Sequence, residues 1–215
     1  MNVVFDFGAV LFDWKPAELL AASFPQQAGE ATAAESLAHA VFGHADWHSF
    51  DRGALTMDEV VTLTAKRLGL DTTVLRELVV RIIDHLAPIA ATCDLLEQLH
   101  RLRSQQPALR LYYLSNMPAP YARELEQRHA FLQWFDGGIF SGDVRITKPD
   151  LAVYQLLQSR YLLNPARTVF IDDLKANVQA AIVLGWQGIH FESAQHLRTR
   201  LESLAIMGDT LHNRE

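Results

Sequence analysis

The sequence predicts an α/β protein, a parallel sheet flanked by helices and interrupted once by a helical insertion. Three observations carry this reading. Five short, continuous apolar runs recur along the chain, each suited to a strand buried on both faces. Apolar residues at helical spacing fill the intervals between the later runs, the alternation of a parallel sheet. Residues 14–86 break that alternation, with helical stretches and no convincing strand.

The first run, VVF at 3–5, delivers Asp6 into a glycine turn, FDFG. Helical patterns follow over 37–42, 57–68 and 73–86. Between the first two lies Asp51-Arg52-Gly53, and then Thr56 with Glu59 three places on, the spacing of a capping box that opens a helix. Pro88 marks the return. Beyond it the chain reads as helix 89–103, strand 111–114 (LYYL), helix 119–129, strand 138–140, helix 151–161, strand 168–171 (TVFI), helix 177–184 and strand 188–191 (GIHF). The expected division is a sheet-bearing core of residues 1–13 and 87–215 and a helical domain of residues 14–86. The polar tail DTLHNRE is expected to fray.

Composition narrows the function. The chain has 215 residues, enough for one large domain or a domain with an insertion, and nearly half are apolar, as in globular proteins. Acidic residues outnumber basic ones by 25 to 19, and a formal charge of −6 argues against nucleic acid or an anionic membrane as partner. One cysteine, Cys93, gives neither a disulfide framework nor a thiolate metal site. No apolar run approaches a membrane span, and the start MNVVFDF lacks the basic region of a signal peptide. A cytoplasmic protein, monomeric or homodimeric, is the expectation.

In an open parallel sheet, ligands bind beyond the carboxyl ends of the strands. The first strand is followed by Asp6, LYYL by Ser115 and Asn116, and TVFI by Asp172 and Asp173. Lys148, in ITKPD, precedes the helix that leads back to that last strand. These groups should converge on one rim, as a site for an oxyanion and a hard divalent cation. Phosphate monoesters repel anionic nucleophiles, so Mg²⁺ with oxygen ligands suits their chemistry. An aspartate can attack phosphorus and form an aspartyl phosphate that water opens. A hydroxyl and an ammonium can hold the oxygens where charge develops. Taken singly, each residue also fits a plain use: Asp6 in a turn, Ser115–Asn116 as a cap, Lys148 solvated, Asp172–Asp173 at a helix N-terminus.

Four segments in order, FDFGAVLFD, YYLSN, TKP and VFIDDLKAN, resemble the motifs of the haloacid dehalogenase superfamily. The resemblance spans the core, and the helical insertion after the first motif is similar to the family's cap domain. It implies a flavodoxin-like core with Asp6 as nucleophile and Ser115 and Lys148 as its catalytic partners. It also implies Mg²⁺ held by Asp6, the Gly8 carbonyl and the Asp172–Asp173 pair. Asn177 would support the acidic pair or Lys148. Within the superfamily the chain looks most similar to bacterial sugar-phosphate (glucose-1-phosphate) phosphatases whose first motif is also D-x-G. Asn116 and the insertion residues Trp47, His48, Phe50, Asp51 and Arg52 are the expected substrate contacts. His39, His44 and His48 do not form a convincing zinc set.

Gly8 departs from the family pattern, which usually has a second Asp there to protonate the leaving oxygen. Glycine transfers no proton, and general acid–base help is worth about 10²–10⁴-fold. Three explanations stand. The leaving group is intrinsically good, a residue of the insertion or a water substitutes, or the leaving group is a halide that needs no proton. The dehalogenase branch usually carries Ser-Asn where this chain has Asp172–Asp173, and adjacent carboxylates repel unless a cation joins them. The expected activity is therefore Mg²⁺-dependent hydrolysis of a small phosphorylated metabolite, with a sugar phosphate expected. The alternatives are a metal-independent 2-haloacid dehalogenase and a non-catalytic binding protein of the same fold.

Overall fold

The computed structural model describes residues 1–208, so the tail DTLHNRE lies outside the described residues. Five strands form one parallel sheet in the order β3-β2-β1-β4-β5. They are β1 (Asn2–Phe5), β2 (Arg110–Ser115), β3 (Gly137–Phe140), β4 (Thr168–Asp172) and β5 (Gln187–His190). The α/β class and all five strands read from the sequence are present, with ends differing by a residue or two. β1 is central because it is apolar on both faces. Val3 and Phe5 join one core with Leu111, Val169 and Ile171, while Val4 joins a second with Tyr112, Leu114 and Phe170. All three β1 side chains are fully buried, each contributing about 1.5–3 kcal/mol.

Helices cover both faces. α7 (Ala90–Leu102), α8 (Ala119–Arg128) and α12 (Ala194–Ser203) bring Leu99, Leu125 and Leu201 to the first core. α10 (Leu151–Tyr161) and α11 (Lys175–Val183) bring Tyr154 and Ala181 to the second, and α9 (Ser141–Val144) is a single turn after β3.

Between β1 and α7 stand α1 (Pro16–Ser23), α2 (Pro25–Ala28), α3 (Ala31–Phe42), α4 (Ala45–Asp51), α5 (Met57–Leu68) and α6 (Thr72–His85). The capping box is formed: Glu59 N donates to Thr56 Oγ1 at 3.3 Å, and Thr56 N donates to Glu59 Oε2 at 2.7 Å. α1 and α4 were not legible in the sequence. α1 buries only Leu20, and α4 is two turns long, so neither offers enough periodicity to read. The two chain segments joining the insertion to the core run together. Asp13 N donates to the Ala87 carbonyl and Ile89 N to the Leu11 carbonyl, both at 2.8 Å. No helix among the described residues is long and apolar enough to cross a membrane.

Candidate active site

The strand order reverses at β1, which has β2 on one side and β4 on the other. A crevice opens at such a point beyond the strand ends. Register decides what fills it. Phe5 pairs with Ile171, and Asp6 N donates to the Ile171 carbonyl at 2.9 Å, so Asp6 emerges beside Asp172.

Lys148 joins them. Its Nζ lies 2.8 Å from Asp6 Oδ1 and 2.6 Å from Asp172 Oδ2, in a position only 4% exposed. The loop that carries it is pinned by Asn116, whose Oδ1 accepts from Lys148 N at 2.8 Å and whose Nδ2 donates to the Lys148 carbonyl at 3.0 Å. Asn116 thus spends its amide on the backbone of Lys148, and it also borders the cavity described below. Asn177 Nδ2 donates to both Asp172 oxygens, at 2.9 and 3.1 Å, and Leu174 N adds a third bond. Asp172 is therefore committed to orienting Lys148.

Burial governs the charges here. It pushes the Asp6 carboxyl up to about 7, with Lys148 pulling it down and Asp172 adding to the rise. Burial, then the neighbouring Asp172, pushes Asp173 up to about 6. Burial opposes the Lys148 charge as well, but Asp172 and Asp6 outweigh it and raise its pKa. One ammonium thus serves three carboxylates. Asp6, Asp172 and Asp173 each offer an oxygen within 4.8 Å of the others, an all-oxygen donor set carrying excess negative charge. That chemistry fits a hard divalent cation such as Mg²⁺.

Above this floor is a cavity of about 240 Å³. Gly8, Ser115, Asn177 and Asp173 border it below, and Ser115 is buried at the end of β2. The insertion supplies most of the upper wall. Trp14, Phe42 and Trp47 meet edge to face, with centroids 5.0 and 4.6 Å apart, and Ile82 and Leu86 continue the apolar surface. Trp47 and His48 therefore reach the cavity as expected. Arg52 does not: it is exposed at the C-terminal end of α4, donating from Nη2 to Ser49 Oγ at 3.1 Å. It follows Asp51 directly, about 100° around the helix axis from the face that Trp47 and Asp51 present.

The fold has relatives among solved structures. An enzyme of the haloacid dehalogenase family from Bacteroides thetaiotaomicron, solved with magnesium and inorganic phosphate, is similar with a TM-score of 0.67. It is 17% identical, over 91% of this chain and 98% of that one. L-2-haloacid dehalogenase from Xanthobacter autotrophicus, with chloropropionic acid covalently bound, gives a TM-score of 0.64 at 20% identity, over 96% of this chain and 84% of that one. The fold is that of the haloacid dehalogenase-like hydrolases. In sequence, a sesquiterpene phosphatase of Aspergillus oryzae is 27% identical over 205 residues, 95% of each chain. A drimenol cyclase of Aspergillus calidoustus is 26% identical over 94% of this chain and 36% of that protein. No family model matches the chain.

Several residues at the site escaped the sequence reading as site residues. Trp14, Phe42, Ile82 and Tyr121 line the cavity, yet in sequence they are indistinguishable from core positions. Asp51, by contrast, was among the expected substrate contacts, and only its burial was not legible. Ser141 gave no signal. It follows β3, accepts from Met117 N at 2.9 Å and donates to the Asp51 carbonyl at 2.6 Å, tying the insertion to the core.

Proposed function

We propose that the protein is a Mg²⁺-dependent phosphomonoesterase that works through an aspartyl phosphate on Asp6, on a substrate whose alcohol portion is apolar. The observation that carries this is the Asp6–Lys148–Asp172 array beside Asp173, roofed by aromatic and aliphatic side chains.

Asp6 attacks the phosphorus, while Ser115 Oγ and Lys148 Nζ hold the oxygens on which charge accumulates. Asp6, the Gly8 carbonyl and Asp173 would hold the metal, with Asp172 as the remaining member of the acidic set. When bound, Mg²⁺ neutralises charge on the phosphate and the nucleophile. Asn177 and Asn116 act through others, the first keeping Asp172 on Lys148 and the second fixing the Lys148 backbone. Residues 14–86 act as a cap that excludes water and selects the leaving alcohol. The acidic pair favours this chemistry over metal-free dehalogenation, because two adjacent carboxylates need a cation between them.

Sugar hydroxyls ask for hydrogen-bonding partners. The roof offers chiefly rings and aliphatic chains, and Tyr121 Oη already donates to the Val79 carbonyl at 2.5 Å. An apolar alcohol therefore fits better than the sugar expected from sequence, and the sesquiterpene phosphatase relative supports that reading. The test is phosphate release from monophosphates of isoprenoid and long-chain alcohols beside sugar phosphates, with and without EDTA. EDTA-sensitive activity favouring the apolar series is expected. Preference for sugar phosphates would overturn the substrate class, and EDTA-resistant chloride release from 2-chloropropionate would overturn the phosphatase reading.

A further inference from the structure

We propose that Asp51 is the general acid–base of the reaction, supplying from the helical insertion the proton that Gly8 cannot. The inference rests on the phosphatase reading above. An alkoxide is a poor leaving group, so an apolar alcohol makes a proton donor at the departing oxygen valuable.

Asp51 borders the same cavity as Asp6 and Ser115, at 8% exposure. Among the described residues no hydrogen-bond donor engages its carboxyl, and its oxygens are not among the fully buried polar atoms without a partner, as suits a group that faces a cavity. Burial raises its pKa well above the ordinary range despite the opposing pull of Lys148, which favours the proton-bearing form that a donor needs. Its backbone is held by the core. Ser141 Oγ donates to the Asp51 carbonyl at 2.6 Å, and Gly53, two residues on, packs where a Cβ would come within 3.0 Å of the Gly142 carbonyl oxygen. Of the other proton-bearing groups around the cavity, Ser115 and Asp173 lie on the floor with Asp6, and the rest are engaged elsewhere. Tyr121 Oη is bound to Val79, Lys148 sits between Asp6 and Asp172, and His48 is at the exposed rim with Nε2 3.2 Å from the Gly43 carbonyl.

The steps balance as follows. An Asp6 oxygen forms a bond to phosphorus as the P–O bond to the alcohol breaks, and the Asp51 proton passes to the alcohol oxygen. Water then attacks the phosphorus of the aspartyl phosphate and gives a proton to the Asp51 carboxylate. The P–O bond to Asp6 breaks, phosphate departs, and both side chains return to their starting states.

The test compares kcat/KM for n-octyl phosphate and 4-nitrophenyl phosphate in wild type and Asp51→Asn, since kcat/KM reports departure of the first product. The variant should lose about 10²–10⁴-fold on the alkyl substrate and far less on the aryl one, whose phenol leaves without a proton. With 4-nitrophenyl phosphate it should also show a burst of nitrophenol, because loss of the base slows opening of the aspartyl phosphate. Equal losses on both substrates, or none, would overturn the assignment while leaving the phosphatase reading intact. If the variant does not fold, the wild-type leaving-group dependence decides. A shallow dependence is expected, and a steep one overturns the proposal. Absence of phosphate release from every substrate would remove the phosphatase reading and this assignment together.

Discussion

Lys148 Nζ stands 2.8 Å from Asp6 Oδ1, and Asp172 grips the same ammonium from the other side at 2.6 Å. Both acids and the base are buried, so each charge depends on the others. Lys148→Met should lower turnover by at least about 10²-fold, as loss of a preorganised donor does. It should also lower metal-free stability, by up to about 3–5 kcal/mol, because it strands two buried acids. Thermal melts and phosphate release check both, and a variant as active as wild type would remove Lys148 from the machinery.

Asp6→Asn is nearly isosteric and removes the nucleophilic charge. Turnover should vanish while circular dichroism and melting temperature stay close to wild type. Substantial residual rate would place the nucleophile elsewhere.

The acidic trio gives a pH signature without metal. Asp6 and Asp173, at about 7 and about 6 in the fold, sit above the carboxylate value of 3.8. Between these values the folded state binds more protons than the unfolded chain, so stability is fullest below the unfolded pKa and is lost as pH rises through the folded ones. Metal-free melting temperatures should therefore fall from about pH 5 to 7.5, with Mg²⁺ raising them most at the upper end. Asp173→Asn should flatten the metal-free slope and weaken the Mg²⁺ response. Parallel curves for the two proteins would show that Asp173 takes no part in holding the ion.

Trp14 offers a test of the apolar roof. Trp14→Ala should raise KM for a long-chain alkyl phosphate by about tenfold or more, since a lost hydrophobic contact is worth roughly 1–3 kcal/mol. Inhibition by inorganic phosphate, which does not reach the roof, should not change. A matched loss for both would place Trp14 in the structure of the site rather than in recognition of the alcohol.

Gly8 accepts a side chain. It lies outside the left-handed region, and a Cβ there would meet only Trp14, its Cβ at 3.9 Å and its Cγ at 4.0 Å. Gly8→Asp should therefore fold with a melting temperature near wild type. Combined with Asp51→Asn, it should restore part of the alkyl phosphate activity by placing an acid on the core side of the cavity. A double variant no better than Asp51→Asn alone would mean that an acid at position 8 does not reach the departing oxygen.

The strands and most of the floor were legible because each depends on local pattern. VVF and TVFI are apolar at every position, which suits only a strand covered on both faces, and the acid after each must then lie at the strand's carboxyl end. Met57–Leu68 was readable to its first residue because Thr56 and Glu59 carry the capping signal within four positions. The roof was not legible. Trp14, Phe42 and Ile82 are distant in sequence, and an apolar residue on a helix reads the same whether it meets a core or a cavity. Arg52 was misread for a related reason: adjacent residues of a helix point about 100° apart, and only packing decides which faces inward. The state of Asp51 is the clearest case. Sequence shows a carboxylate between an aromatic and an arginine, while its burial and lack of a partner come from helices and loops that the chain brings together over ninety residues, from Asp51 to Ser141. Local pattern set the strands and the order of the charged residues along the chain. Tertiary packing alone decided which of those residues lost their water, and with it how readily each holds a proton.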